Sequence, residues 1–188
     1  MDYINYVKEF PLSMMGMGGG IGGFAFLSGG STPQGLYGYG QSNNATQINA
    51  IDMNTIANAT DYGDLTGPNV WSLGSFSNGT DRGIWGGGTG PFGSSDAIRY
   101  IGFNSPQNSA DFGDCTETRA DCAGAGNSTI GIFYGGGASV TSRNNQEKIT
   151  IATLGNGTTF GDSYESTETA VGCANETRAL WAGNGGSG

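Results

Sequence analysis

The side chains that could do chemistry in this 188-residue chain are carboxylates, asparagines, three cysteines and a few aromatics; histidine is absent. Without histidine, the imidazole general base, the common transition-metal ligand and the usual nucleophile triads are excluded together. The carboxylates recur in a fixed setting. Asp61 and Asp64 flank Tyr62-Gly63, Asp111 and Asp114 flank Phe112-Gly113, and Asp162 follows Phe160-Gly161. Carboxylates on loops suit calcium, which makes these five the candidate metal ligands. Turn capping and a soluble surface explain them equally well. Carboxylate pairs for glycoside hydrolysis need a fixed separation, and nothing in the sequence sets one. No catalytic residue, cofactor-binding residue or cofactor is therefore assigned.

Six asparagines, Asn44, Asn58, Asn78, Asn127, Asn156 and Asn175, begin Asn-x-Thr sequons and are candidate glycosylation sites. Asn78, Asn127 and Asn175 share one repeat position, and Asn58 and Asn156 share another. Tight turns favour asparagine, so turn chemistry accounts for that recurrence without sugar. Tyr37 and Tyr39, on a Gly-rich stretch, are candidates for stacking on a glycan ring, with packing as the plainer role. Trp85 and Trp181 occupy the strand position of Phe133 or Tyr134, which points to core. Cys115, Cys122 and Cys173 show no CxxC spacing and read as small buried residues; a Cys115–Cys122 disulfide is compatible with the spacing but not indicated.

Composition narrows the class. Gly accounts for 37 of the residues while aromatics hold at 11%, so a glycine-rich all-β protein fits better than a linker or collagen. The net charge of −9, with only 7 Lys and Arg, disfavours nucleic acid and anionic membranes as partners. Residues 1–10 have neither the basic nor the apolar region of a signal peptide, which leads us to expect folding in a cytoplasm. The apolar stretch from Gly18 to Ser28 is too short to span a bilayer.

These residues sit on an internal repeat. Residues 77–88, 127–137 and 175–183 each pass from an Asn-x-Thr turn into an aromatic strand ending in glycine, and 24–30 reads as the end of a fourth copy. Alternating strands recur at 2–7, 48–53, 97–101 and 147–152. Their markers Ile4, Ile51, Ile98 and Ile149 stand 47, 47 and 51 residues apart. Aromatic-Gly-Asp turns follow at 59–64, 110–114 and 158–162, then a variable run at 69–74, 118–124 and 169–174. Each unit supplies about four short strands, and no helical period of useful length is present.

With its Gly-Gly-ended strands, a strand of the Ile-Asp-x-x-x-Ile type and aromatic-Gly-Asp turns, the chain resembles the kelch / galactose-oxidase-like propeller repeat. Residues 149–162, Ile-Thr-Ile-Ala-Thr-Leu-Gly-Asn-Gly-Thr-Thr-Phe-Gly-Asp, look like the glycine-rich repeats of tailed-phage structural proteins. The resemblance implies an all-β fold, a small four-bladed kelch-like β-propeller in one domain, 1–188. Its units would be 1–30 with 165–188, 31–88, 89–137 and 138–188, the N- and C-terminal strands completing one shared blade. Arg82, Arg119 and Arg178 only partly match the charged residues that tie kelch blades together, and no copper site is possible without histidine.

The function implied is that of a non-enzymatic virion protein of a bacteriophage, a tail, neck or fibre component. Its expected partners are other virion proteins in a homo-oligomeric assembly, together with a host-surface glycan, and neither nucleic acid nor membrane insertion. The alternative from another class is an extracellular carbohydrate-binding or filament-forming module of a cell surface.

Overall fold

The computed structural model describes residues 24–26, 34–38, 46–67, 72–90, 93–138 and 141–185. The strand expected at 2–7 lies outside them, as do Tyr39 and Asn44. The described chain is all-β, in several antiparallel sheets with no helix.

The first sheet is a meander of β1 (Phe24–Phe26), β2 (Gln34–Gly38), β3 (Gln47–Asp52) and β4 (Thr60–Asp64). The second orders β5 (Gly74–Ser77), β6 (Arg82–Gly86), β8 (Gly93–Gly102) and β9 (Ala110–Arg119), with the short β7 (Thr89–Gly90) against the start of β8. The third repeats this with β10 (Ala123–Gly126), β11 (Ile130–Tyr134), β13 (Thr141–Thr150) and β14 (Thr158–Ala174), and β12 (Gly137–Ala138) pairs β13. β14 is 17 residues long and serves twice. Its first part pairs β13, and from Thr167 to Ala174 it pairs β15 (Ala179–Gly185). The first strands stand side by side, β1 against β5, β5 against β10, and β10 against β14. Three four-stranded meanders and a two-stranded remainder thus follow one another, and the described residues form no closed barrel or propeller.

Register corrects two sequence readings. The Gly-ended strand of the first unit is β2 (Gln34–Gly38), and Phe24–Phe26 is the strand before it, not a copy of it. The third-strand marker of the second unit is Ile101, because Tyr37, Trp85 and Phe133 face Asn49, Arg99 and Glu147 in turn. Ile51, Ile101 and Ile149 are then equivalent, 50 and 48 residues apart. Ile98 misled because β8 alternates Ile at 98 and 101 across a β-bulge between Ile98 and Arg99.

The strand ends explain the glycine content. After β6 and β11 the chain turns through Gly87 (φ 71°) and Gly88 (98°), and through Gly135 (63°) and Gly136 (88°). A Cβ on Gly136 would lie 2.5 Å from the Ala120 carbonyl oxygen, so positive φ and close backbone approach both select glycine.

The core lies between successive sheets. Leu36, Ile48, Ala50 and Tyr62 of the first sheet share one cluster with Trp85, Ile101 and Phe103 of the second. Phe76, Ile84, Ile98 and Phe112 of the second share another with Phe133, Ile149 and Ile151 of the third. Burying a side chain of this kind stabilises by about 1.5–3 kcal/mol, so each sheet depends on its neighbour for its core.

Candidate interaction surface

Two seams join the three sheets, and both are built by the same positions. After β8 the loop bearing Asn108 lies along β4. Gln107 N–H donates to the Tyr62 carbonyl (2.7 Å), Ser109 N–H to the Asp64 carbonyl (2.8 Å), and Asp64 N–H to Asn108 Oδ1 (3.0 Å). After β13 the loop bearing Asn156 lies along β9 in the same way. Gly155 N–H donates to the Phe112 carbonyl (2.9 Å), Gly157 N–H to the Asp114 carbonyl (2.8 Å), and Asp114 N–H to Asn156 Oδ1 (3.1 Å). Edge amides that would otherwise be left bare are thus satisfied from the next sheet.

One rung differs between the seams in a compensated manner. In the first, Thr66 N–H donates to the Ser109 hydroxyl (2.8 Å), and Arg99 Nε donates to the Thr66 carbonyl (2.9 Å). In the second, glycine stands at 157 where serine stands at 109, and Thr116 N–H donates instead to Glu147 Oε2 (2.6 Å). A Cβ on Gly157 would lie 2.8 Å from that oxygen. The other carboxylate oxygen of Glu147 accepts from Arg119 Nη2, whose Nη1 donates to the Gly135 carbonyl (3.0 Å). Arg119 and Glu147 are both fully buried. The Arg99–Asp111 pair, at 2.5 Å, lies within the second sheet between β8 and β9, with the Asp111 side chain largely exposed, and Arg99 reaches the first seam through the Thr66 carbonyl.

The candidate carboxylates are accounted for as follows. Asp61 Oδ1 accepts from Gly63 N–H (3.1 Å), Asp64 Oδ1 accepts from the Thr46 hydroxyl (2.9 Å), and Asp111 pairs with Arg99. Asp114 and Asp162 are exposed within β9 and β14, because the aromatic-Gly-Asp stretches expected to be turns run inside strands, beside β-bulges in their pairing. Among the described residues no group of three His, Cys, Asp or Glu is placed to hold a metal ion.

Asn78, Asn127 and Asn175 each accept backbone N–H bonds from residues two and three ahead, at 2.7–3.1 Å. Asn78 Nδ2 also donates to Asp81, and Asn127 Nδ2 to the Glu176 carbonyl. Those amide nitrogens, the atoms a glycan would take, are engaged, that of Asn78 within its own turn and that of Asn127 across to the turn between β14 and β15. Asn156 binds its seam, and Asn58, its first-sheet equivalent, is exposed. Tyr37 is half-buried in β2. Trp85 is fully buried, and Trp181 is half-buried, stacked on Tyr134 at 5.0 Å between ring centroids. The cysteines are free thiols, and burial pushes the Cys115 and Cys122 thiols up from their ordinary value of 9.0.

Sequence reasoning missed Asn108, Glu147 and the seam role of Arg119. Asn108 begins no sequon, yet Asn58, Asn108 and Asn156 each stand six residues before the Asp of an aromatic-Gly-Asp turn. That spacing was the available signal.

The seam positions run off the end of the array at the third sheet. Tyr62 and Phe112 are buried, 4% and 3% exposed, while their equivalent Phe160 is 51% exposed. Leu36 and Ile84 are fully buried, and Ile132 in the same register is half-buried. A scan against models of known protein families finds none that matches this chain, and a search of curated proteins finds no significant match.

Proposed function

We propose that this chain is a non-enzymatic structural protein of a bacteriophage virion, a tail, neck or fibre component that binds other virion proteins. The observation that supports it best is the seam made twice by one set of positions. A repeat that uses Asn108, Asn156 and the buried Arg119–Glu147 pair to lock sheet to sheet suits a framework rather than a reaction centre. The phage assignment itself rests on the likeness of residues 149–162 to repeats of tailed-phage proteins. Within that reading the fold is a four-bladed kelch-like propeller in which the three meanders are blades and β14–β15 begins a fourth, completed by the N-terminal strand. The assembly is homo-oligomeric, and a host-surface glycan is its outward ligand.

The test is immunogold labelling of particles from the source culture with antibody raised against the purified chain. Gold on the tail or neck is the expected result. Label confined to cell surfaces would overturn the virion assignment in favour of an extracellular surface module.

A further inference from the structure

A groove of about 170 Å³ lies between the third sheet and the β14–β15 pair, with Ile130, Ile132 and Phe160 on one wall and Asn175, Thr177 and Arg178 on the other. Its chemistry departs from that of the two seams. Tyr62 and Phe112 are buried, whereas their equivalent Phe160 is 51% exposed. Opposite Leu36 and Ile84 the third strands carry Ala50 and Tyr100, and opposite Ile132 stands Lys148. Lys148 Nζ lies 5.6 Å from the centre of the Phe160 ring, a cation held over an aromatic face.

The charges of the chain single out the same place. Acids outnumber bases 16 to 7. Arg82 donates to the Ile151 carbonyl, Arg99 pairs with Asp111, and Arg119 pairs with Glu147. Lys148 and Arg178 have no carboxylate partner among the described residues, and both border this groove. Glu176, beside Arg178 in the turn, accepts instead from the Ser128 hydroxyl at 2.8 Å. Asn175 adds a neutral donor. Its Oδ1 accepts from the Thr177 and Arg178 amides, while its Nδ2, unlike those of Asn78 and Asn127, makes no hydrogen bond among the described residues.

We infer, resting on the glycan-binding part of the reading above, that this groove takes an acidic sugar, a pyranose bearing a carboxylate. The C–H face of a pyranose is apolar and packs flat on an exposed aromatic ring, which Phe160 supplies. The carboxylate pairs with the Arg178 guanidinium, whose planar N–H groups match its two oxygens, and Lys148 adds a second positive charge beside the ring. Asn175 Nδ2 donates to a sugar hydroxyl. A neutral sugar would leave both cations without a counter-charge, so the acid is preferred. The stacking role expected of Tyr37 falls to Phe160, because Tyr37 is half-buried within the first sheet.

The experiment is calorimetric titration of the full chain with tetragalacturonate and with its methyl ester, the same sugar without the charge. The native chain should bind the acid at least about tenfold more tightly than the ester, and added salt should narrow that gap. Phe160→Ala and Arg178→Gln should each weaken binding of the acid at least about tenfold at an unchanged melting temperature, and Arg178→Gln should also bring acid and ester together. Tyr164→Ala, an exposed aromatic that does not line the groove, should bind as the native chain does. Equal affinity of the native chain for acid and ester would overturn the acidic class. Binding that survives both Phe160→Ala and Arg178→Gln would overturn this groove as the site and leave the glycan reading standing. A native chain that binds neither these sugars nor a panel of bacterial surface polysaccharides would overturn the glycan reading as well, while particle labelling decides the virion assignment separately.

Discussion

Replacing Arg119 by Met gives the sharpest test of how the second seam is held. Met keeps the aliphatic stem but removes the guanidinium, leaving Glu147 fully buried with Thr116 N–H as its only remaining partner among the described residues. Removing one member of a buried ion pair costs about 3–5 kcal/mol, because the surviving charge is left uncompensated. For a chain of this size each kcal/mol lowers the melting temperature by about 2–4 °C, so a fall of roughly 6–20 °C is expected. Arg119→Met/Glu147→Met removes both charges; Arg119→Met already frees the Gly135 carbonyl, and the second change adds only the loss of the Thr116 amide's acceptor, at about 1–3 kcal/mol, so the double variant should be more stable than Arg119→Met alone. Adding Gly157→Ser to the double variant transplants the first seam's arrangement, in which the Ser109 hydroxyl accepts from Thr66 N–H, and should recover part of the loss. Urea denaturation of the native chain and the three variants measures each step, and the double-mutant cycle isolates the coupling. A loss below about 1 kcal/mol for Arg119→Met, or purely additive losses in the cycle, would refute the argument that the pair is buried and mutually compensating.

Three further outcomes follow from the same geometry. Asn108→Ala and Asn156→Ala should each cost about 0.5–1.5 kcal/mol in urea unfolding by removing the seam hydrogen bonds to the amides of Asp64 and Asp114. Asn58→Ala, at the same repeat position but without a seam hydrogen bond among the described residues, should stay within about 0.5 kcal/mol. Gly131→Ala would place a Cβ 1.9 Å from the Phe76 ring and should destabilise by about 1–3 kcal/mol, read as a lower melting temperature. The cysteines predict a pH effect whose sign is fixed by burial. Cys115 and Cys122 resist ionisation when folded, whereas the unfolded thiols ionise near their ordinary value of 9.0. Stability is therefore full below that value and falls as pH rises above it, by on the order of 2–3 kcal/mol at pH 10 for the two thiols together. Cys115→Ala/Cys122→Ala should flatten that part of the pH profile, and native-state alkylation should modify Cys173 first.

The meander of short strands was legible because its signals are local. Asn-x-Thr turns, paired glycines and alternating strands each depend on a few adjacent residues, and Asn78, Asn127 and Asn175 form the turns that their residue type favours. Register was less legible. Ile98 and Ile101 are both buried, so only the pairing of Trp85 with Arg99 shows which of them matches Ile51 and Ile149. Long-range partners were not legible from local pattern at all. Nothing near Glu147 in the sequence announces that it replaces the hydroxyl of Ser109, because the two satisfy equivalent amides from different elements, one from a strand and one from a loop.

That exchange between Ser109 and Glu147 bears on what the repeat conserves physically. The two seams keep the amide to be satisfied and its acceptor chemistry, and they change the residue that supplies it. A serine hydroxyl and a carboxylate differ in charge, so the second seam must also bring Arg119, and Gly157 must stay small enough to let the carboxylate in. Three positions are thereby tied together in one seam and free in the other. The open groove at Ile132 and Phe160 follows the same logic at the end of the array. The positions that a following sheet closes twice, at Tyr62 and Phe112, are 4% and 3% exposed, and at Phe160, where no following sheet covers it among the described residues, the same position is 51% exposed.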